Sequence, residues 1–193
     1  MKELKDMSLE ELWQLFPIIV KEHNPNYKTW YEEEKINILK ALCGCDICRI
    51  NHIGSTSVEG LLAKPIVDIL LELPHKYDMD CVTNKLENAG WIVMAVNHTD
   101  MTIDLNKGYT ENGFAEKVYH LHVKPMGNWA ELYFRDYLKE HEDIAKQYEE
   151  LKKELKEKYE YDRDSYTNAK SEFVITYSKK AQEEFRGRYE PNI

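Results

Sequence analysis

The N-terminal third of the chain alternates between helical and strand-like spacing of its apolar positions. Ser8, followed three residues later by Glu11, forms a capping-box pattern that predicts a short helix over residues 8–16. Apolar side chains at helical spacing predict a second helix over residues 31–42. Strict alternation follows and predicts a strand that ends at Gly54.

The middle third is rich in short apolar runs. A dense apolar run from Pro65 onward predicts a central strand that is buried on both faces. A helix is predicted over residues 78–89, where Gly90 ends it. The remaining strands are predicted at WIVMAV, MTIDLNKG and KVYHLHVKP.

The pattern changes after Pro125, where charged residues dominate. Residues 129–158 are predicted to form one long helix, because Glu-before-Lys pairs at four-residue spacing indicate a solvated face. Turn residues in YDRDS separate it from a last helix over about 165–185. The elements together predict a mixed α/β sheet followed by a two-helix C-terminal part.

Composition narrows the classes of function. The chain has 193 residues, 42% of them apolar, and a net charge of −9. That charge argues against broad electrostatic binding of nucleic acid or of anionic lipid, although it leaves room for a small anion at a local positive cluster. No apolar run reaches the roughly 20 residues that span a bilayer, and the charged start lacks the apolar segment of a signal peptide. We therefore expect a cytoplasmic protein without a membrane partner.

The segment from Gly54 to Ser57 is the first candidate for chemistry. Gly54 lets the backbone approach a bound group. Ser55, Thr56 and Ser57 offer hydroxyl and backbone N–H donors for a phosphate. Gly-Ser-Thr-Ser is also ordinary turn and cap chemistry, so this segment alone leaves both interpretations open.

Asp68 is the second candidate, because it interrupts the apolar run of the central strand. A carboxylate at such a position is costly to bury unless it is paired, hydrogen-bonded or bound to a metal. Lys64 lies just before the strand and is a candidate partner. The alternative is a structural Asp that caps a neighbouring loop.

These residues together resemble a known pattern. In the nucleotidyltransferase superfamily an apolar residue, Gly and Ser precede, by about nine to thirteen residues, a strand Asp that is followed two positions later by Asp or Glu. Ile53, Gly54 and Ser55 are followed after twelve residues by Asp68, but the partner position is Leu70.

The match is closer to one branch of that superfamily. HIGSTSVEGLLAKPIVDILLEL closely resembles the GrpB family, as do NKGYTENGFAEKVYHLHVKPMGN and later blocks, over residues 12 to 178. The resemblance implies an α/β (α+β) fold: a nucleotidyltransferase-like mixed sheet with flanking helices and two long C-terminal helices. It predicts one domain over residues 1–193, with a core at about 31–125 and a helical element at about 129–186.

Leu70 leaves the expected metal site without its second carboxylate. Glu72 shares the strand face with Asp68, but four residues of strand place it about 13 Å away. A second ligand is therefore expected from another strand. The candidates are Asp104 and the His120/His122 pair, whose side chains share one strand face and suit Zn, Mn or Fe better than Mg. The alternative is that one histidine packs in the core and the other is exposed.

Basic residues of the C-terminal helices complete the candidate set. The family resemblance favours Arg135 and Lys170 as ligands for a phosphate, whereas a salt-bridged helix packed on the sheet is the alternative. The expected ligand is a nucleotide or another phosphorylated small molecule, with Mg²⁺ or Mn²⁺ as cofactor and no nucleic-acid partner.

Three functions remain open from the sequence. The first is transfer of a nucleotidyl group to a small acceptor, with Asp68 as the catalytic metal ligand. The second is a non-catalytic binding module on the same fold, which Leu70 favours. The third is a metal-dependent hydrolase or transferase that uses Asp68, His120 and His122.

Overall fold

A computed structural model describes residues 2–191 of the chain. Its helices are α1 (Leu9–Leu15), α2 (Tyr27–Ala41), α3 (Met79–Asn88), α4 (Ala130–Glu140), α5 (Glu142–Tyr159) and α6 (Arg163–Glu184). Its strands are β1 (Arg49–Ile53), β2 (Val67–Leu73), β3 (Ile92–Asn97), β4 (Thr102–Thr110) and β5 (Gly113–Pro125). The ends of the domain predicted over 1–193, residues 1 and 192–193, lie outside the described part.

The strands form one mixed sheet in the order β1-β2-β5-β4-β3. Strands β2 and β5 run parallel, and the other neighbouring pairs run antiparallel. The mixed α/β sheet predicted from the sequence is thus confirmed. The capping box of the first helix is also confirmed, since Ser8 and Glu11 bond to each other's backbone N–H groups.

Helices cover both faces of the sheet. On one face α2 and α3 pack against alternate residues of β2, including Ile69 and Leu71, in the main apolar core. On the other face α4 packs Leu132 against Leu70 and Ile53. The period-2 geometry of a strand places Asp68, Leu70 and Glu72 together on this second face.

The single helix predicted over 129–158 is wrong. The backbone leaves helical geometry at His141, whose φ is −121° and ψ is 84°, and α5 begins at the next residue. The His141 ring stacks on Tyr137 at 3.9 Å and bonds to Glu184 of α6 at 3.0 Å. Tertiary packing against α6 therefore overrides the helical propensity of the segment.

The helices were also compared with the length and hydropathy that a membrane span requires. Within residues 2–191, each helix is either too short or too polar to cross a lipid bilayer.

Candidate functional site

A cleft lies between the Asp68 face of the sheet and helices α5 and α6. Its volume is about 310 Å³. We call it the basic cleft, because four cationic side chains line it beside the single carboxylate of Asp68. The residues of its wall used below are Gly54, Ser55, Thr56, Lys64, Asp68, His120, His122, Tyr148, Lys152, Arg163, Tyr166 and Lys170.

Gly54 brings the loop after β1 against Asp68. Its φ is +69°, a conformation that side-chain-bearing residues avoid. A Cβ atom at this position would lie 2.3 Å from the Asp68 Oδ2 atom. The glycine and the aspartate predicted to act together are therefore in direct contact.

The three hydroxyls after Gly54 have different roles. Ser55 Oγ accepts a hydrogen bond from Lys152 Nζ at 3.3 Å and faces the cations. Thr56 is buried and donates to the Ile66 carbonyl at 3.1 Å. Ser57 Oγ donates back to the Gly54 carbonyl at 2.5 Å and stabilises the turn. Of the three side chains, the one that presents its hydroxyl to the cations of the basic cleft is Ser55.

The cations of the basic cleft come from three segments of the chain. Lys64 precedes β2, Lys152 lies on α5, and Arg163 and Lys170 lie on α6. Burial lowers the pKa of Lys64 to about 7, with Lys170 and Arg163 adding repulsion. Burial likewise lowers the pKa of Lys152 to about 7. Cations held this close together favour an anion between them.

Asp68 is held by His120 on the neighbouring strand, where the parallel register pairs the two residues. His120 Nδ1 lies 3.1 Å from Asp68 Oδ1, and its Nε2 lies 2.8 Å from the Tyr109 hydroxyl. Burial raises the pKa of the Asp68 carboxyl, but the His120 hydrogen bond and nearby positive charges outweigh it, so the pKa falls below its usual range. Burial also lowers the pKa of His120, helped by Arg163 and Lys64.

These directions fix the proton on His120. An ionised Asp68 accepts and does not donate, so a neutral His120 carries its proton on Nδ1. Its Nε2 then accepts the hydrogen bond of the Tyr109 hydroxyl. Tyr109, His120 and Asp68 thus form one chain of hydrogen bonds that orients the carboxylate.

His122 has a carboxylate of its own. Its Nδ1 lies 2.7 Å from Asp104 Oδ1. Burial lowers the pKa of His122, but the Asp104 hydrogen bond and the Asp68 charge outweigh it and raise the pKa. A carboxylate on Nδ1 orients the imidazole and leaves Nε2 for a metal, as in many histidine metal sites.

One group of potential metal ligands occurs within residues 2–191. It comprises Asp68, His120 and His122, whose ligand atoms lie within 4.8 Å of one another. The set of one carboxylate with imidazoles fits a single transition ion better than Mg²⁺. Asp104, predicted as a ligand from the sequence, lies behind His122 as its hydrogen-bond partner.

Leu70 occupies the position where the superfamily pattern has its second carboxylate, and it belongs to the apolar core. Leu70 is fully buried between Ile53 and Leu132. Glu72 is also fully buried, and both of its carboxylate oxygens bind the Arg49 guanidinium. The donor set therefore fits one ion and not the pair of ions that two neighbouring carboxylates hold.

The structure separates two predicted phosphate ligands from the rest. Arg135 and Ser57 line a second cleft on the other side of the Gly54–Ser57 loop. Arg135 bonds to Asp136, Tyr189 and the His52 carbonyl. The other candidates, namely Gly54, Ser55, Thr56, Lys64, Asp68, His120, His122 and Lys170, line the basic cleft together.

Sequence reasoning noted Lys152 among the basic residues of the C-terminal helices but ranked Arg135 and Lys170 above it, and it did not single out Arg163. Lys152 had a usable signal, because it interrupts the buried stripe that Ile144, Tyr148 and Leu155 form along α5. A lysine on an apolar helix face needs a partner in the folded protein. Arg163 had no such signal, since in the sequence it belongs to the polar segment YDRDS among many other charges.

Comparison with known proteins identifies relatives over most of the chain. The model of the GrpB protein family matches residues 17–180. The "Glutamate-rich protein GrpB" of Alkalihalophilus pseudofirmus is 35% identical over 161 residues, which cover 81% of this chain and 91% of that protein. The crystal structure of the conserved protein GrpB from Enterococcus faecalis superposes with a TM-score of 0.74 and 29% identity, covering 86% of this chain and 99% of that chain.

A more distant structure identifies the wider fold. The Cid1 poly(U) polymerase with magnesium and 3′-dATP bound superposes with a TM-score of 0.51 and 11% identity. The match covers 83% of this chain and 51% of the polymerase chain. Together with the sheet order, this likeness assigns the nucleotidyltransferase-like fold expected from the sequence.

Proposed function

The chain belongs to the GrpB family, and from this premise we propose that its basic cleft binds a nucleotide or another phosphorylated small molecule together with one divalent metal ion. The observation that carries this proposal is the arrangement of Lys64, Lys152, Arg163 and Lys170 beside Asp68. Four cations line this one cleft of a chain whose net charge is −9. Clustered positive charge in an acidic protein is the electrostatic counterpart of a multiply charged anion.

The loop between β1 and β2 supports the same ligand. Lys152 donates to Ser55 Oγ and to the Leu62 carbonyl, so its ammonium is held where a phosphate oxygen would also meet the loop. Charge-assisted hydrogen bonds of this kind are stronger than those between neutral groups. The buried amines of Lys64 and Lys152 gain a counter-charge when an anion binds.

The metal would be held by Asp68 and His122, with His120 orienting Asp68. A third bond from His120 Nδ1 would require the other tautomer, with the proton on Nε2 donated to the Tyr109 oxygen. A divalent ion there supplies positive charge that offsets the phosphate oxygens of the ligand. Asp104 on His122 Nδ1 and Tyr109 on His120 Nε2 keep the imidazoles oriented. Mn²⁺ suits this mixed donor set better than Mg²⁺ does.

The finer proposal is nucleotidyl transfer to a small acceptor. An acceptor oxygen would bond to the α-phosphorus while the bond to the β-phosphate oxygen breaks, releasing pyrophosphate and the acceptor proton. The four cations would offset the charge that develops on the leaving pyrophosphate. The buried Leu70 favours the rival proposal, a module that binds the same ligand without turnover.

The decisive experiment measures ligand binding by isothermal titration calorimetry with ATP, GTP and CTP, each with and without Mn²⁺ or Mg²⁺. We expect Lys152→Met to weaken nucleotide binding about tenfold or more, the size of one charge-assisted hydrogen bond. Lys153→Met is the matched control, because Lys153 lies next to it, exposed and paired with Glu150. Equal affinities of the two variants would contradict the phosphate assignment.

Asp68→Asn separates the metal from the phosphate contribution. We expect it to abolish the part of the affinity that depends on Mn²⁺ and to leave the circular dichroism spectrum unchanged. Release of pyrophosphate by the unaltered protein would favour the transferase, and its absence with intact binding would favour the module.

The His pair supports a third possibility, a metal-dependent hydrolase or transferase using Asp68, His120 and His122. Metal analysis of the purified protein addresses it directly. A stoichiometric transition metal that His122→Gln removes would favour this reaction class, whereas a protein that binds no transition metal at any concentration would exclude it.

A further inference from the structure

The tyrosine rings of the basic cleft have lysines over their faces. Tyr166 is 1% exposed, and the ammonium groups of Lys64 and Lys170 lie 5.5 and 5.3 Å from its ring centre. The Lys152 ammonium lies 4.6 Å from the centre of the Tyr148 ring. An ammonium over an aromatic face is attracted by the negative charge of the π system. The two rings therefore help to hold three of the four cations in place.

The Tyr148 ring also packs against other rings of the protein. Phe173 of α6 stacks on it at 5.2 Å with 15° between the two planes, and Phe134 meets it edge-on at 5.4 Å. Tyr148 itself is 5% exposed. A nucleobase that is held by stacking needs an open aromatic face. The faces of Tyr148 and Tyr166 are instead used inside the protein, by lysines and by phenylalanines.

The rest of the wall is polar. The His120 ring stacks on Tyr109 at 6.0 Å, and both of its nitrogens are hydrogen-bonded. The His122 ring is held by Asp104. Among the described residues, Ile66 is the one aliphatic side chain of the wall. Pockets for whole organic ligands are lined mainly by apolar and aromatic groups, so this cleft is built for a charged group.

The cations are spread across the cleft and do not converge on one point. Lys152 donates to Ser55 Oγ in the loop after β1, and Arg163 Nη1 donates to the Tyr109 hydroxyl oxygen beside β5. Strands β1 and β5 lie on either side of β2, about 10 Å apart. Lys64 and Lys170 meet at the Tyr166 ring. A single phosphate group contacts only part of this set, whereas a chain of phosphates contacts all of it.

We propose that the basic cleft binds a polyphosphate chain and does not distinguish between the nucleobases attached to it. This inference rests on the proposed function and narrows its ligand to nucleoside triphosphates of any base and to inorganic polyphosphates, which share that chain. The phosphate groups would lie between the cations, with a metal ion at Asp68 offsetting part of their charge. The nucleoside would extend out of the cleft into solvent.

The test is isothermal titration calorimetry of the full chain with ATP, GTP, CTP, inorganic tripolyphosphate and adenosine, each with Mn²⁺. A stacked base contributes roughly fivefold to more than a hundredfold in affinity. We therefore expect the affinities for the three nucleotides to differ by less than about fivefold, and tripolyphosphate to bind no more than about fivefold more weakly than ATP. Adenosine should produce no heat of binding. A larger preference for one nucleotide, or for ATP over tripolyphosphate, would overturn the proposal.

The length of the chain is tested with inorganic phosphate. We expect it to bind at least about tenfold more weakly than tripolyphosphate, because it forgoes at least one charge-assisted hydrogen bond. Equal affinities for the two anions would show that the cleft recognises a single phosphate group and would overturn recognition of a chain.

A ring variant shows whether the aromatic side chain holds the lysines or a base. Tyr166→Leu removes the ring beneath Lys64 and Lys170. We expect the affinities for ATP and for tripolyphosphate to fall together, by about threefold or more, so that their ratio is unchanged. A loss for ATP alone would show that the ring stacks on the base and would overturn the proposal.

Tyr159→Leu is the matched control. Tyr159 packs in the same small apolar cluster as Tyr166 and has the Lys158 ammonium 5.0 Å from its ring centre, but it lies outside the wall of the cleft. We expect it to bind both anions as the unaltered protein does. The thermal unfolding midpoint shows whether each variant is folded, and the ligand series on the unaltered protein decides the proposal without either variant.

The same titrations separate this inference from the proposed function. If neither ATP nor tripolyphosphate binds, with or without Mn²⁺, both are overturned. If ATP, GTP and CTP bind with affinities that differ by more than about fivefold, the proposed function stands and the inference alone is overturned.

Discussion

At the scale of single residues, Gly54 and Asp68 lie so close together that position 54 has no room for a side chain. The loop glycine adopts a left-handed backbone conformation and contacts the carboxylate across a gap that no side chain fits. Their pairing was predictable from the sequence, because a glycine before a hydroxyl-rich turn and a lone acid on an apolar strand each needed an explanation.

We expect Gly54→Ala to destabilise the protein more than Gly60→Ala does. Both glycines have positive φ, at +69° and +78°, so both substitutions strain the backbone. The ψ of −177° at Gly54 adds to its cost, because that backbone region is open essentially to glycine alone. A Cβ at Gly60 meets no atom within 4 Å, whereas one at Gly54 meets Asp68. Urea unfolding measures the difference, and binding of Mn²⁺ should be lost in Gly54→Ala alone. Equal losses of stability would show that the contact is relieved by a small backbone shift.

Among the secondary structure elements, β1 is an edge strand of the sheet, and the loop that follows it lies between the two clefts. Two of its carbonyls are covered by side chains: Tyr31 donates to Ile50 at 3.2 Å, and Arg135 donates to His52 at 3.0 Å. Covering an edge in this way prevents pairing with another strand. Arg135, predicted from the family resemblance as a phosphate ligand, thus has a structural task at this edge.

We expect Arg49→Met to cost about 3–5 kcal/mol, the usual effect of leaving a buried charge without its partner. Arg49 bridges β1 to the buried carboxylate of Glu72 and to the Gly127 carbonyl before α4. Lys117→Met is the control, because its ion pair with Glu33 is exposed and such pairs contribute about 1 kcal/mol or less. Urea unfolding of both variants provides the comparison, and a loss below that of the control would show that Glu72 finds other partners.

At the level of elements, strand periodicity was the most reliable guide. Alternation placed His120 and His122 on one face of β5 and Leu121 and Val123 in the core, as observed. The break at His141 could not be predicted from local spacing, since the contacts of that residue include one with Glu184 of α6, which is distant in the sequence. Lys152 and Arg163 of the basic cleft were missed for a related reason, because they meet Lys64 and Lys170, which the sequence did single out, only through helix docking.

The whole molecule combines a negative overall charge with a locally positive interior. Lys64, Lys152, Arg163 and Lys170 surround Asp68, while the exposed faces of the helices carry the excess of Asp and Glu. The fold and the family were predictable from motif spacing and blocks of resemblance. The site was predictable where its residues belong to strands and loops near Asp68, and not where they belong to α5.

The buried lysines predict opposite effects of pH on stability and on binding. The pKa values of Lys64 and Lys152 are about 7 when folded, against about 10.4 for lysine in an unfolded chain. Between these values the unfolded chain binds more protons, so the free energy of unfolding of the unliganded protein should rise with pH. Anion binding needs the protonated amines and should weaken over the same range.

Urea unfolding and phosphate titration at pH 7 and pH 9 check both effects. The rise in stability should be smaller in Lys152→Met than in Lys153→Met, because only Lys152 has a lowered pKa. A phosphate affinity that is constant between the two pH values would contradict the assignment of these amines.

The bond from Lys152 to Ser55 spans 97 positions of the chain. A ribosome synthesises the loop and Asp68 long before it synthesises α5 and α6, so the nascent polypeptide first carries the strand half of the basic cleft without Lys152, Arg163 and Lys170. The cationic wall of the cleft is therefore complete only once the last helix has emerged and docked.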